Sequence, residues 1–130
     1  MDRLEQIAEA LHDGWWDYRK RKGWILGPRS NVHKQHPHMA PWWQLNNEAQ
    51  NQDRFIAAII LWHWLNTGRG VTPKMIHETW RKWEDAHARE HPHSIPYGQA
   101  HSHIDSNKIE DNEHQLQAGR VNHLLKSFSK

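Results

Sequence analysis

Apolar side chains recur at helical spacing from the first residues of the chain. Leu4, Ile7, Ala8, Leu11, Trp15 and Tyr18 fall on one face of a helix, and Asp2 with Glu5 three residues later is the pattern of a capping box at its start. This helix is predicted to run to about Lys22, where Gly23 follows as a stop. Trp24-Ile25-Leu26 is β-prone and is punctuated by Gly27 and Pro28, so a short strand or hairpin arm is expected there, with little regular structure before Pro41. Asn46 or Asn47 can cap a second helix that continues through Phe55, Ile56, Ile59, Ile60 and Leu61 to Asn66, with Gly68 beyond its end. Its apolar residues nearly encircle it, which predicts the most buried element. Thr72-Pro73 opens a third helix with Ile76, Trp80, Trp83 and His87 on one face, ending before His91-Pro92. The polar segment 98–108 reads as an exposed loop, and a last helix is predicted from about Ile109 to Ser129 around Val121, Leu124, Leu125 and Phe128. The pattern defines a mainly α fold, helices joined by short extended or β-hairpin pieces.

The chain also matches itself. At a shift of 65 residues Leu11-His12-Asp13-Gly14-Trp15 falls on Ile76-His77-Glu78-Thr79-Trp80, and Ile56, Ile59 and Ile60 fall on Val121, Leu124 and Leu125. Between these blocks His36-Pro37-His38-Met39-Ala40-Pro41-Trp42 matches His91-Pro92-His93-Ser94-Ile95-Pro96-Tyr97 at a shift of 55, so the second copy lacks the stretch holding Gly23-Trp24 and Gly27-Pro28-Arg29. Two helix–extended–helix units, 1–70 and 71–130, are expected to pack together as one globular domain, because neither is large enough to bury its own apolar face. A pseudo-twofold axis between them would set Trp15 opposite Trp80 across a gap.

Composition narrows the classes. The 130 residues include no Cys, which excludes a disulfide framework, a thiol nucleophile and an iron–sulfur cluster. The longest apolar run, Phe55 to Trp62, is far short of the ~20 residues needed to span a bilayer, and the charged start Met1-Asp2-Arg3-Leu4-Glu5 is unlike a secretory signal. A cytoplasmic protein with no membrane partner is expected. Charge names no partner, since 17 Lys+Arg nearly balance 15 Asp+Glu, whereas 13 His promise a pH response. With a mean hydropathy of −1.04, aliphatic side chains are few, and nine Trp are expected to supply much of the core.

Over roughly Leu4 to Gly68 the chain resembles the ryanodine receptor repeat (RyR) domain. The shared motifs are Ile7-Ala8-Glu9-Ala10-Leu11-His12-Asp13-Gly14-Trp15, then Gly23-Trp24-Ile25-Leu26-Gly27-Pro28-Arg29, then Lys34-Gln35-His36-Pro37-His38-Met39-Ala40-Pro41-Trp42, followed by Leu45 and Asp53-Arg54. Trp42 stands where that family usually has tyrosine, and Trp43 where it usually has an acidic residue. The resemblance implies a small α-rich module that binds without catalysing, found in tandem in calcium release channels and as free-standing proteins in bacteria and phages. It further implies a purine nucleotide held between the motif tryptophans, here Trp15 and Trp80.

The candidate ligand residues follow. Two indoles on one base supply ~1–3 kcal/mol of stacking each. Arg29, Lys34, Arg54 and Arg81 are the cations for phosphates, His12 and His77 lie three residues before the tryptophans, and Asp13 and Glu78 could read a ribose or base edge. No cofactor is required; ATP, ADP-ribose or a cyclic nucleotide is the expected ligand class. No Gly-x-Ser-x-Gly, Walker loop, His-Glu-x-x-His or zinc deaminase pattern is present, so no enzyme is expected. The pairs His36/His38, His91/His93 and His101/His103 are weak metal motifs, and no metal is expected. The competing readings are single-stranded nucleic-acid binding through the basic and aromatic segment 15–24, and a protein–protein module anchored on exposed indoles. Trp24, Trp62, Trp64 and Trp83 are expected in the core.

Overall fold

Asp2 opens the first helix, α1 (Arg3–Arg21), its carboxylate accepting the Glu5 N–H at 2.8 Å in the computed structural model, which describes residues 1–86 and 106–128. The Glu5 carboxylate does not complete the predicted box; it pairs instead with Arg54 of the second helix. At the other end Gly23 takes a φ of +87°, the left-handed turn that lets the chain leave the helix. Two short strands follow, β1 (Ile25–Leu26) and β2 (Gln35–His36). They pair in parallel, Ile25 with Gln35 and Leu26 with His36, so the expected hairpin between them is corrected. The connection has folded back on itself first: Ser30 and Gln35 exchange backbone hydrogen bonds at 3.1 and 2.9 Å, closing a tight turn over residues 31–34.

A 3₁₀ turn (Trp42–Gln44) leads to α2 (Asn47–Thr67), capped by the Asn46 side chain on the Ala49 N–H at 2.9 Å and ended by Gly68 at φ +70°. Thr72 caps α3 (Pro73–Ala86) through the Met75 N–H at 3.2 Å, and the last helix, α4, spans Ser106–Phe128. Helix α4 therefore begins inside the segment 98–108 that the sequence reads as loop. His87, His91, His93, His101 and His103 lie outside the described residues.

Helices α1 and α3 each pack against α2 and against α4, leaving α1 and α3 diagonal to one another. Gly14 faces Gln117 while Arg3 lies over the Phe128 ring at 5.2 Å, so α1 and α4 are antiparallel. Val71, leading into α3, is hydrogen-bonded through both backbone groups to the Asn122 side chain, and His77 meets His114, so α3 is antiparallel to α4 as well. It follows that α1 and α3 point the same way. Gly14 permits the closeness of α1 and α4, since a Cβ there would lie 2.8 Å from the Gln117 Cα.

The core is aliphatic, built on Ile7, Leu11, Ile56, Ile60, Val71, Ile76, Val121 and Leu125. Burying each such side chain contributes about 1.5–3 kcal/mol. Of the nine Trp only Trp42 and Trp83 are buried, which corrects the expectation that indoles would fill the interior. Trp62 is 66% and Leu65 61% exposed, so α2 buries one stripe (Ala49, Ile56, Ala57, Ile60) rather than its whole circumference. Trp64 packs at the core's edge, and Trp24 is half-buried under Arg19. A helix wrapped on only part of its surface leaves its other apolar side chains at the solvent, whatever their type.

Candidate functional site

A line of polar side chains crosses the bundle from α3 to α1. His77 Nδ1 lies 3.4 Å from His114 Nε2, His114 Nδ1 lies 3.0 Å from the Gln117 amide oxygen, and Gln117 Nε2 donates to the Leu11 carbonyl at 3.1 Å. The three bonds are satisfied together when His77 and His114 each donate from Nδ1 and His114 Nε2 accepts. His77 and Gln117 are buried, and each meets a partner from another helix. Trp15 lies one helical turn beyond Leu11 and Trp80 nearly one turn beyond His77. Because α1 and α3 run the same way, both indoles lie toward the same end of the bundle from this relay, and both are half-buried.

The surroundings of Trp15 are polar and aromatic. His36 meets its ring edge-on with centroids 5.0 Å apart, and the Arg19 guanidinium stands 5.7 Å from the ring centroid on the one hand and 4.7 Å from that of Trp24 on the other. Arg19 Nε is buried without a hydrogen bond and lies 3.9 Å from the buried Glu113 carboxylate. Burial, reinforced by His38, Arg29, Arg19 and His12, drives the His36 pKa down to about 3, so this ring is neutral at ordinary pH. Trp80 has His77 beside it at 6.1 Å and is followed directly by Arg81, whose Nε is likewise buried without a hydrogen bond and whose terminal nitrogen is 3.9 Å from Glu78.

Other sequence candidates are differently placed. His12 is buried, which lowers its pKa against the pull of the Ala40 carbonyl and Asp13, and its Nε2–H donates to the Ala40 carbonyl at 2.6 Å; it fixes the Met39-Ala40-Pro41 segment. Arg54 is consumed by α1 and its own helix: it forks onto Glu5, donates to Asn51 at 3.0 Å and Gln50 at 3.1 Å, and covers Trp42. Arg29 is exposed on the turn, and Lys34, held at φ +52°, donates to the Lys22 carbonyl at 3.1 Å. Asp13 is half-buried, and desolvation raises its pKa against the pull of His12, Arg120 and Lys20.

Two residues escaped the sequence reading as site candidates. Arg19 was one of four consecutive basic residues at a helix end, and only the fold selects it as the cation between Trp15 and Trp24. Asp53 lies on the inward stripe of α2, four residues after Ala49 and four before Ala57; burial first, and then the Asp13 carboxylate, push its pKa up to about 8. Its place in the shared Asp53-Arg54 motif and in an otherwise apolar stripe was the available signal. Among the described residues no group of three or more His, Cys, Asp or Glu could hold a metal, and none of the helices is long and apolar enough to cross a membrane.

These features define a small helical module with polar and aromatic groups gathered at one end of an aliphatic core. The RyR domain family matches residues 1–73, more than half of the chain, and the chain belongs to that family. No curated protein matches it.

Proposed function

We propose that the chain is a non-enzymatic RyR-type module that binds a purine nucleotide or a nucleotide-derived signal, with the base stacked between Trp15 and Trp80. The observation that carries this reading is the His77–His114–Gln117–Leu11 relay, which ties two like-directed helices together just below their half-buried indoles. Stacking contributes ~1–3 kcal/mol per ring. Micromolar binding requires about 8 kcal/mol, and charged hydrogen bonds to phosphates from Arg19 and Arg81 supply the remainder. The second unit, 71–130, is read as a degenerate copy whose contribution is the His77-x-x-Trp80 half of the site. ATP, ADP-ribose and cyclic nucleotides share the chemistry these groups recognise, and a cytoplasmic sensor or sequestering protein in bacterial or phage conflict is the role this fits.

Single-stranded nucleic acid fits the local geometry less well. Lys20 over Trp16 at 4.1 Å and Arg19 over Trp24 at 4.7 Å stand closer to their rings than Arg19 does to Trp15 at 5.7 Å, so the faces of Trp16 and Trp24 are the more covered against a stacking base.

The test is fluorescence titration with calorimetry against ATP, ADP-ribose and cyclic nucleotides. Saturable quenching is expected, with modest salt dependence, and at least a tenfold loss of affinity in Trp15→Ala and in Trp80→Ala, about one stacking contribution each. Silence toward every mononucleotide, with tight salt-sensitive binding of an oligonucleotide, would overturn it.

A further inference from the structure

The near-neutral formal charge of +2 conceals a segregation. Residues 18–47 contain no Asp or Glu but six Lys and Arg, a balance of +6; the remaining 11 Lys and Arg against 15 Asp and Glu give −4. The fold concentrates that positive stretch at one place. The Ile25 N–H donates to the Lys34 carbonyl at 2.9 Å and Lys34 Nζ donates to the Lys22 carbonyl, so the end of α1, β1 and the 31–34 turn are fastened to one another. Lys20, Arg21, Lys22, Arg29 and Lys34 are all exposed. The same segment carries three exposed aliphatic side chains, Ile25 at 57%, Leu26 at 58% and Val32 at 88% exposure, the adjacent Ile25 and Leu26 on opposite faces of β1. Val32 stands at the apex of a turn closed by the Ser30–Gln35 pair and by the Ser30 hydroxyl on the His33 N–H at 3.2 Å, so its exposure is built into the fold.

From this arrangement we infer that the β1–turn–β2 tip is a docking surface for an anionic phospholipid membrane. The aliphatic side chains enter the boundary between headgroups and acyl chains, while the surrounding cations contact lipid phosphates. Charge complementarity selects an acidic partner. The exposed apolar groups of β1 and the 31–34 turn are aliphatic and offer no stacking face, which favours lipid over nucleic acid at this tip. The expectation of no membrane partner rested on the lack of a spanning segment, and a surface-docked tip needs none.

Sedimentation of the full chain with vesicles tests the inference. Binding is expected to vesicles of phosphatidylcholine mixed with phosphatidylglycerol, to weaken with added salt, and to be absent with phosphatidylcholine alone. Lys22→Ala and Arg29→Ala are each expected to weaken it about fivefold, and Leu26→Ser combined with Val32→Ser to abolish it while leaving the thermal midpoint unchanged. Equal binding to neutral vesicles, or no binding to either kind, overturns the inference. So does capture of an oligonucleotide by a protein that ignores vesicles. Lys22, Leu26 and Val32 are not among the residues proposed to hold the nucleotide, so nucleotide titration of Lys22→Ala and of the Leu26→Ser, Val32→Ser double variant keeps the two readings separate.

Discussion

Asp53 illustrates what one residue contributes once its surroundings are known. A carboxyl with a pKa near 8 keeps its proton in the folded protein across the range from about pH 4 to pH 8, in which the unfolded chain loses it. The unfolded state then binds fewer protons, so the Asp53 contribution to stability declines as pH rises through that window. Asp53→Asn is expected to be neutral near pH 4 and to raise stability progressively toward pH 8, by at most about 1.4 kcal/mol per pH unit. Urea unfolding of both proteins at several pH values checks this; an equal difference at every pH would contradict it. The same scale shows why Arg54 and Arg19 could not be ranked from sequence. Both are cations near motif residues, and what separates them is a carboxylate 49 residues away that consumes Arg54, and a pair of indoles that frame Arg19.

At the scale of elements, glycine gives the sharpest expectation. Ala is favoured over Gly inside a helix by about 1 kcal/mol. Gly119→Ala on α4 has nothing within 4 Å of the new Cβ and is expected to gain about that amount. Gly14→Ala is expected to lose about 1–3 kcal/mol, because its Cβ would meet Gln117 backbone at 2.8 Å and two helices must part. Denaturant unfolding of the two variants should therefore give opposite signs. Helix starts and stops were legible because they are local: Asp2, Asn46 and Thr72 cap as read, and Gly23 and Gly68 turn where the periodicity ends. Strand direction was not legible. Whether Ile25-Leu26 pairs in parallel or antiparallel depends on two reversals: the bend over residues 27–29 turns the chain back from β1, and the Ser30–Gln35 closure turns it again, so β2 arrives parallel.

For the whole molecule, the relay couples stability to the proposed site. Gln117 connects the Leu11 carbonyl to His114 and, through it, to His77. Gln117→Leu removes the buried amide's bonds to His114 and to the Leu11 carbonyl and is expected to destabilise by about 1–3 kcal/mol. It is also expected to weaken nucleotide binding about tenfold in protein that remains folded, although both indoles are untouched, because α1 and α3 lose their common tie. Calorimetry paired with circular dichroism separates lost binding from lost folding, and full affinity in folded variant protein would remove the relay from the proposed site.

The sequence by itself determined the mainly α fold, the helix caps and stops, the RyR motifs and the helix faces that bear Trp15 and Trp80, since each depends on neighbours within a few residues. The tertiary structure alone decided which indoles are buried, which cation stands beside Trp15, and where the acid-free segment gathers its charge around an aliphatic tip. Those outcomes turn on contacts between residues tens of positions apart, such as Leu11 with Gln117 and Val71 with Asn122, and periodicity holds no record of them.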